Sequence, residues 1–289
     1  MSLKHLLKAI LPQEFRSKLK RYRRIFTNNM RRNLPKTTIE ELRRVLKVEL
    51  GIKKGDKILV SSSFGNLNAD YSPQDVINLL KDLVGEQGVI GMPYYPPMNS
   101  DEWANKGKIF DMKTTKSGMG ILTNVFAKSE GVIMTCHPTK ALCLWGNHNY
   151  DPMKHKNATT PFYWDSPYAI FLEKDAKSLG LGLKNIPIFH SFEDILSKTK
   201  DYYYQKRKYK LIVRDDKGVE YEVETLIHDN VLMDYCIPAG DYVNSLKCKF
   251  YKRIPFGYSF LFIADNKALM DSVEKAYKEG YTRESTLRK

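Results

Sequence analysis

No two of the four cysteines (Cys136, Cys143, Cys236 and Cys248) stand at the Cys-x-x-Cys spacing of a structural zinc site. Four thiols in 289 residues need not pair, and reduced thiols in the cytoplasm are the expected state. The six histidines form no His-x-His or His-Glu-x-x-His pattern, and the carboxylates do not cluster, so no metal is expected. No stretch approaches the roughly 18 uninterrupted apolar residues that a membrane span needs. The amino terminus is basic, but Lys8 and Pro12 interrupt its one apolar cluster, which excludes a good signal peptide. A Gly-x-x-x-x-Gly-Lys-Ser/Thr loop is missing, which removes the P-loop nucleotide folds. Repeats and low-complexity blocks are also lacking. What is left is a soluble, cytoplasmic globular protein, and 42% hydrophobic with 28% charged residues is the ordinary balance for one.

The formal charge of +14 resembles a nucleic-acid signature until it is located. Residues 1–36 hold eleven basic side chains against Glu14 alone, a net ten of the fourteen. The excess describes a tail, and no specific nucleic-acid partner is expected of the body. In that tail Leu3, Leu6, Leu7, Ile10 and Leu11 fall at helical spacing with lysines opposite. Such a stripe can lie on an anionic membrane surface, pack on its own domain, or meet a second copy of the chain. The expected division is residues 1–36 as a basic amphipathic helical extension and 37–289 as the working domain.

From Thr38 onward the signals become regular. Thr38 and Glu41 have capping-box spacing and open a helix expected to run to Gly51. Lys57–Val60 reads as a buried strand entering Ser61, Ser62 and Ser63. Ser72 followed by Pro73 starts a helix to Val84, and Gly88–Met92 is the next strand. Strand, helix, strand implies a right-handed crossover and a mainly parallel sheet. Residues 94–117 look polar and irregular. A helix is expected over Met119–Lys128, strands near Val132–Thr135, Leu142–Trp145 and Lys177–Leu183, and a helix over His190–Thr199. Residues 202–228 alternate as β-segments around the turn at Asp215–Gly218, and a strand at Tyr258–Ile263 precedes a closing helix over Asn266–Gly280.

The stretch Gly180–Glu193 carries the most chemistry. A strand ends in a glycine-rich turn, and the helix that follows bears His190 and Glu193 three residues apart. Positions i and i+3 share a helix face, so the carboxylate can orient the imidazole and support its protonated form. A general base working near neutral pH needs that support. By itself the spacing recurs by chance on helix surfaces. Cys136 and His137 are adjacent in extended chain and point to opposite faces, which makes a poor dyad. His137 is expected to pack or hydrogen-bond near the site, whereas His148, His155 and His228 read as ordinary surface or loop residues.

Six segments together resemble the aminoglycoside 3-N-acetyltransferase family over Thr38–Tyr281. Gly55–Ser63 is similar to its strand ending in His-Ser-Ser, and Val84–Pro93 to its VGxxGTLVMP element. Met119-Gly-Ile-Leu122 matches its Met-Gly-x-Leu turn, and His137-Pro-Thr139 through Gly146 its HPTHSFxAxG segment. Pro161-Phe162 with Ser166-Pro167 resembles its DPFGxxSP segment, and Gly180, Gly182, His190 and Glu193 its GVGxxxNTxxHxxE element.

The resemblance implies an α/β/α arrangement around a largely central mixed sheet, with a β-rich carboxyl-terminal portion. It implies acyl-CoA as co-substrate (acetyl-CoA or a longer acyl-CoA), with His190 and Glu193 as the catalytic pair. Ser62, Ser63, Met119 and Gly120 are expected at the CoA, and His137, Lys140 and Ser166 at the acceptor. Ser61, Lys140, Ala141 and Ile186-Pro187 depart from the family's residues, the later ones beside the expected acceptor pocket. The expected acceptor is therefore an amino sugar linked to a nucleotide (dTDP or UDP), of the kind used in surface polysaccharide, with an aminoglycoside or a non-catalytic member of the fold as alternatives.

Overall fold

The computed structural model describes residues 34–196, 203–229, 232–233 and 236–284. The amphipathic stripe of the tail and the last turn of the helix expected to reach Thr199 lie outside them. Thr37–Lys289 forms one compact unit. Its centre is a seven-stranded sheet containing β1 (Lys57–Ser62), β2 (Val89–Tyr94), β4 (Ile133–Met134), β5 (Ala141–Gly146), β6 (Ala176–Leu181), β9 (Tyr251–Phe256) and β10 (Ser259–Asp265), in the order β4-β5-β2-β1-β6-β10-β9. A second sheet joins β3 (Phe110–Asp111), β7 (Tyr209–Arg214) and β8 (Glu220–Thr225).

Only β2, β1 and β6 run parallel; β5 on one side and β10 on the other are antiparallel to them. The sheet is therefore mixed, and the expectation of a mainly parallel one was too broad. The edge pairs β4–β5 and β9–β10 are also antiparallel and are joined by short connections, which antiparallel pairing permits without a crossover.

Alternation along the strands divides the core between two faces. Ile58, Val60, Ile90, Met92, Leu179 and Leu181 face helices Ile39–Arg44, Pro73–Val84 and Ile121–Phe126. Leu59, Val89, Phe262 and Ala264 face the 3-10 turn Pro167–Leu172 and helices Phe189–Leu196, Ala239–Ser245 and Asn266–Lys278. Three layers, α/β/α, result.

Local chemistry explains the helix starts. Thr38 accepts from the Glu41 amide at 3.2 Å while the Glu41 carboxylate accepts from the Thr38 amide at 2.8 Å. Ser72 and Asp75 close the same box ahead of Pro73–Val84. The first helix stays α-helical only to Arg44 and widens into a π-turn over Val45–Glu49. Residues 94–117, expected to be irregular, contain helix Ser100–Asn105 and strand β3, which pairs parallel with β7. That partner lies about a hundred residues later, beyond any local pattern.

Candidate active site

The carboxyl ends of the three parallel strands open on one edge of the sheet, where open α/β folds place their ligands. Register brings more chain to that edge. Tyr94 at the end of β2 faces Ala141, so Lys140 enters β5 there. Gly182, just past β6, donates its amide to Phe260 of β10 at 3.0 Å.

Gly182 has φ of +77°, and a Cβ there would sit 2.7 Å from the Ser63 carbonyl oxygen, so glycine alone permits the turn. Asn66 Nδ2 donates to the Gly182 carbonyl at 2.8 Å, and Ser61 Oγ to the Asn185 carbonyl at 3.0 Å. These bonds hold the turn against the end of β1, and helix Phe189–Leu196 starts from it.

On that helix His190 Nδ1 lies 3.0 Å from Glu193 Oε2. The Glu193 side chain is 1% exposed and that of His190 27% exposed. Arg283, from the last described residues of the chain, pairs with the other carboxylate oxygen, Oε1, inside the protein. Burial is the largest influence on Glu193 and pushes its carboxyl up. The Arg283 charge and the hydrogen bonds from His190 and Arg283 together outweigh it, holding the carboxyl below its ordinary value. An ionised carboxylate only accepts hydrogen bonds, so in the neutral ring Nδ1 carries the proton and the lone pair sits on Nε2.

A second histidine faces the first. The ring of His228 is centred 4.8 Å from that of His190, and Phe162 stacks on both at 4.9 Å and 5.5 Å. Burial, then the nearby His190 ring and the charges of Lys140 and Arg283, hold His228 well below its ordinary pKa. It is neutral, and its buried Nε2 has no hydrogen-bond partner among the described residues. The reading of His155 and His228 as surface or loop residues is corrected, since both are buried. His155 Nδ1 bonds Thr135 at 2.8 Å, and burial pushes the ring down to about 3.

His137 uses both ring nitrogens. Nδ1 accepts from the amides of Thr139 and Lys140, and Nε2 bonds Thr225 Oγ1 at 3.0 Å. It is a buried brace between the segment ahead of β5 and the end of β8. Ser166 is buried too, its Oγ donating to the Tyr163 carbonyl at 2.6 Å. Lys140 is different. Its ammonium lies 4.5 Å from the centre of the Tyr95 ring. Burial, opposed by the charge of Asp101, pushes the amine down to about 8.

At the end of β1, Ser62 meets the Met119–Gly120 turn: a Cβ on Gly120 would lie 3.8 Å from the Ser62 carbonyl oxygen. The Ser63 amide donates to the Leu181 carbonyl at 2.8 Å, and the Met119 amide to Ser117 Oγ at 3.0 Å. The open amides of this turn therefore begin at Gly120, the N-cap of helix Ile121–Phe126, and not at Met119. Among the described residues no group of three or more His, Cys, Asp and Glu could hold a metal.

Sequence reasoning missed Arg283 and His228. Arg283 lies beyond the last recognisable segment, and His228 becomes a neighbour of His190 only through the β7–β8 hairpin. The alternation before His228 marked the hairpin but not its destination.

The chain has an α/β/α fold and matches an N-acetyltransferase family, which gives its class: an acyl-CoA-dependent N-acetyltransferase. Residues 59–278 match the aminoglycoside 3-N-acetyltransferase family, and the chain belongs to it. Solved structures share the fold at low identity. A sisomicin-bound AAC-VIa has a TM-score of 0.68 and 18% identity over 85% of this chain and 99% of its own. AAC-IIIb in a binary complex with CoASH has a TM-score of 0.64 and 18% identity over 85% and 98%. The YokD protein from Bacillus subtilis has a TM-score of 0.64 and 21% identity over 85% and 94%.

Proposed function

We propose that this enzyme moves an acyl group from acyl-CoA to the amine of an amino sugar by direct attack, with His190 as general base. The observation that carries the reading is the paired His190 and Glu193, with Nδ1 committed to a buried carboxylate and Nε2 left with its lone pair. The acceptor amine attacks the thioester carbonyl, its proton passes to Nε2, and the carbon–sulfur bond breaks to release CoA thiolate. Glu193 offsets the positive charge that His190 gains. Ser62, Ser63, Met119 and Gly120 are assigned to acyl-CoA, with the Gly120 amide as the candidate donor to the thioester oxygen. Lys140 is assigned to the acceptor, with His137 and Ser166 shaping the wall behind it.

An acyl-cysteine intermediate fits poorly. Burial pushes the thiols of Cys136 and Cys236 up to about 11 and that of Cys143 higher, away from the reactive thiolate. A non-catalytic role is disfavoured by the retention of both His190 and Glu193.

The acceptor is read as a nucleotide-linked amino sugar because of the charge around the site. Glu193 is neutralised by Arg283, Asp194 is engaged by Thr160 and Tyr204, and the Lys140 ammonium sits over the Tyr95 ring. A polycation finds little free negative charge there, whereas a phosphate finds Lys140. The aminoglycoside reading is favoured by a different observation, the sisomicin held by a protein of the same fold. Residues 1–36 are assigned to contact with a membrane surface or with a second copy.

The test is thiol release from acetyl-CoA by His190→Ala. The variant should turn over about 10²- to 10⁴-fold more slowly with CoA binding intact. Near-normal turnover with donor and acceptor both saturating overturns the assignment.

A further inference from the structure

The carboxylate behind His190 is itself held from behind. Glu193 offers Oε2 to the imidazole and Oε1 to the guanidinium of Arg283, and both acidic and basic side chains are almost wholly buried. Arg283 reaches this place from the far end of the chain, after helix Asn266–Lys278 and outside the segment that matches the family.

Its backbone is tied down on every side. Tyr242 Oη donates to the Tyr281 carbonyl at 2.7 Å, and the Tyr281 amide donates to the Ala276 carbonyl at 2.8 Å. The Ile237 amide donates to the Arg283 carbonyl at 3.0 Å, and Arg283 Nε returns a bond to the Ile237 carbonyl at 2.5 Å. The next residue, Glu284, accepts from Tyr203 Oη. So anchored, the guanidinium has little freedom to leave Glu193, and its planar fork suits a carboxylate edge.

The structure assigns Arg283 as a positioning residue that acts on His190 through Glu193. It keeps the buried carboxylate ionised and aimed at Nδ1, and it takes up part of the negative charge that would otherwise hold a proton on the imidazole. A lone buried carboxylate beside a histidine makes a tight ion pair and a base already protonated; a carboxylate shared with a guanidinium leaves the imidazole free to accept.

Other groups surround the pair. Asp194 on the same helix is engaged by Thr160 and Tyr204. Tyr203 and Tyr204 approach ahead of β7, His228 after β8, Cys236 before helix Ala239–Ser245, and Tyr277 from helix Asn266–Lys278. Glu284 follows Arg283, and Lys140 lies beyond His228. Among the described residues the one cationic side chain besides His190 that bonds Glu193 is Arg283.

The inference takes its functional meaning from the reading of His190 as the base, but its test does not need turnover. The full chain is labelled with nitrogen-15 at its histidine rings, and the His190 midpoint and tautomer are followed by NMR across pH. The wild type should show the Nδ1-protonated tautomer when neutral. In Arg283→Gln the midpoint should rise by about one pH unit or more, as expected when a positive charge is taken from beside a titrating pair. In a Glu193→Gln background the same change should move the midpoint by much less, because the path from Arg283 to His190 is gone. A folded Arg283→Gln protein with an unmoved midpoint overturns the proposal. So does an equal rise with and without Glu193. Should Arg283→Gln fail to fold, Arg283→Lys carries the test: keeping the charge should keep the wild-type midpoint, and a full-unit rise in that variant contradicts the assignment.

Discussion

His190 and His228 stand with ring centres 4.8 Å apart, yet they belong to different regions and do different chemistry. The first rides on a helix launched from the sheet edge, is partly open, and has a carboxylate on Nδ1. The second comes off the β7–β8 hairpin, is buried, and has no partner for Nε2 among the described residues. One is equipped to take a proton and give it up; the other is kept neutral beside it. Residue type did not decide this. A carboxylate within bonding distance and an opening to solvent did.

The contrast can be sharpened first at Lys140, whose charge reaches His228. Lys140→Met should raise KM for a nucleotide-linked acceptor on the order of tenfold or more, the worth of a charged hydrogen bond, and leave kcat nearly unchanged. An equal loss for acceptors without phosphate would place the lysine in the fold and not in recognition.

A smaller effect lies in stability against pH. His137, His155 and His228 all have folded pKa values depressed by burial. Their stabilising contribution is present above the unfolded value near 6.5 and is lost as pH falls below it, for His155 down to about 3, because the unfolded chain binds protons that the native state refuses. The steepness of the loss is set by one proton for each histidine. Urea melts should show His228→Phe losing stability with acid less steeply than wild type, by one proton's worth. Parallel slopes would mean that His228 already takes a proton in the folded protein.

The sheet edge was legible because its signals are local. The capping boxes at Thr38 and Ser72, the buried run of β1, the turn at Gly182 and the spacing of His190 and Glu193 each depend on residues a few positions apart. What escaped notice depends on distant pairing. β3 is two residues long and exists through β7. β9 is mostly exposed, with Lys252, Arg253 and Pro255 in its middle, so it lacks the pattern of a buried strand. His228 and Arg283 meet Glu193 and His190 only after the hairpin and the chain end have folded back. Lys140 was legible as a departure in a familiar segment, and its seat over the Tyr95 ring was not.

The central claim is acyl transfer from CoA to an amino-sugar amine. Its most direct test is a thiol-release assay with acetyl-CoA and longer acyl-CoAs, against dTDP- and UDP-linked amino sugars and kanamycin-type aminoglycosides. The account predicts release that requires a nucleotide-linked amino sugar. Release with aminoglycosides alone would contradict the acceptor, and silence across the panel from a protein that binds CoA would contradict amino-sugar acyl transfer altogether.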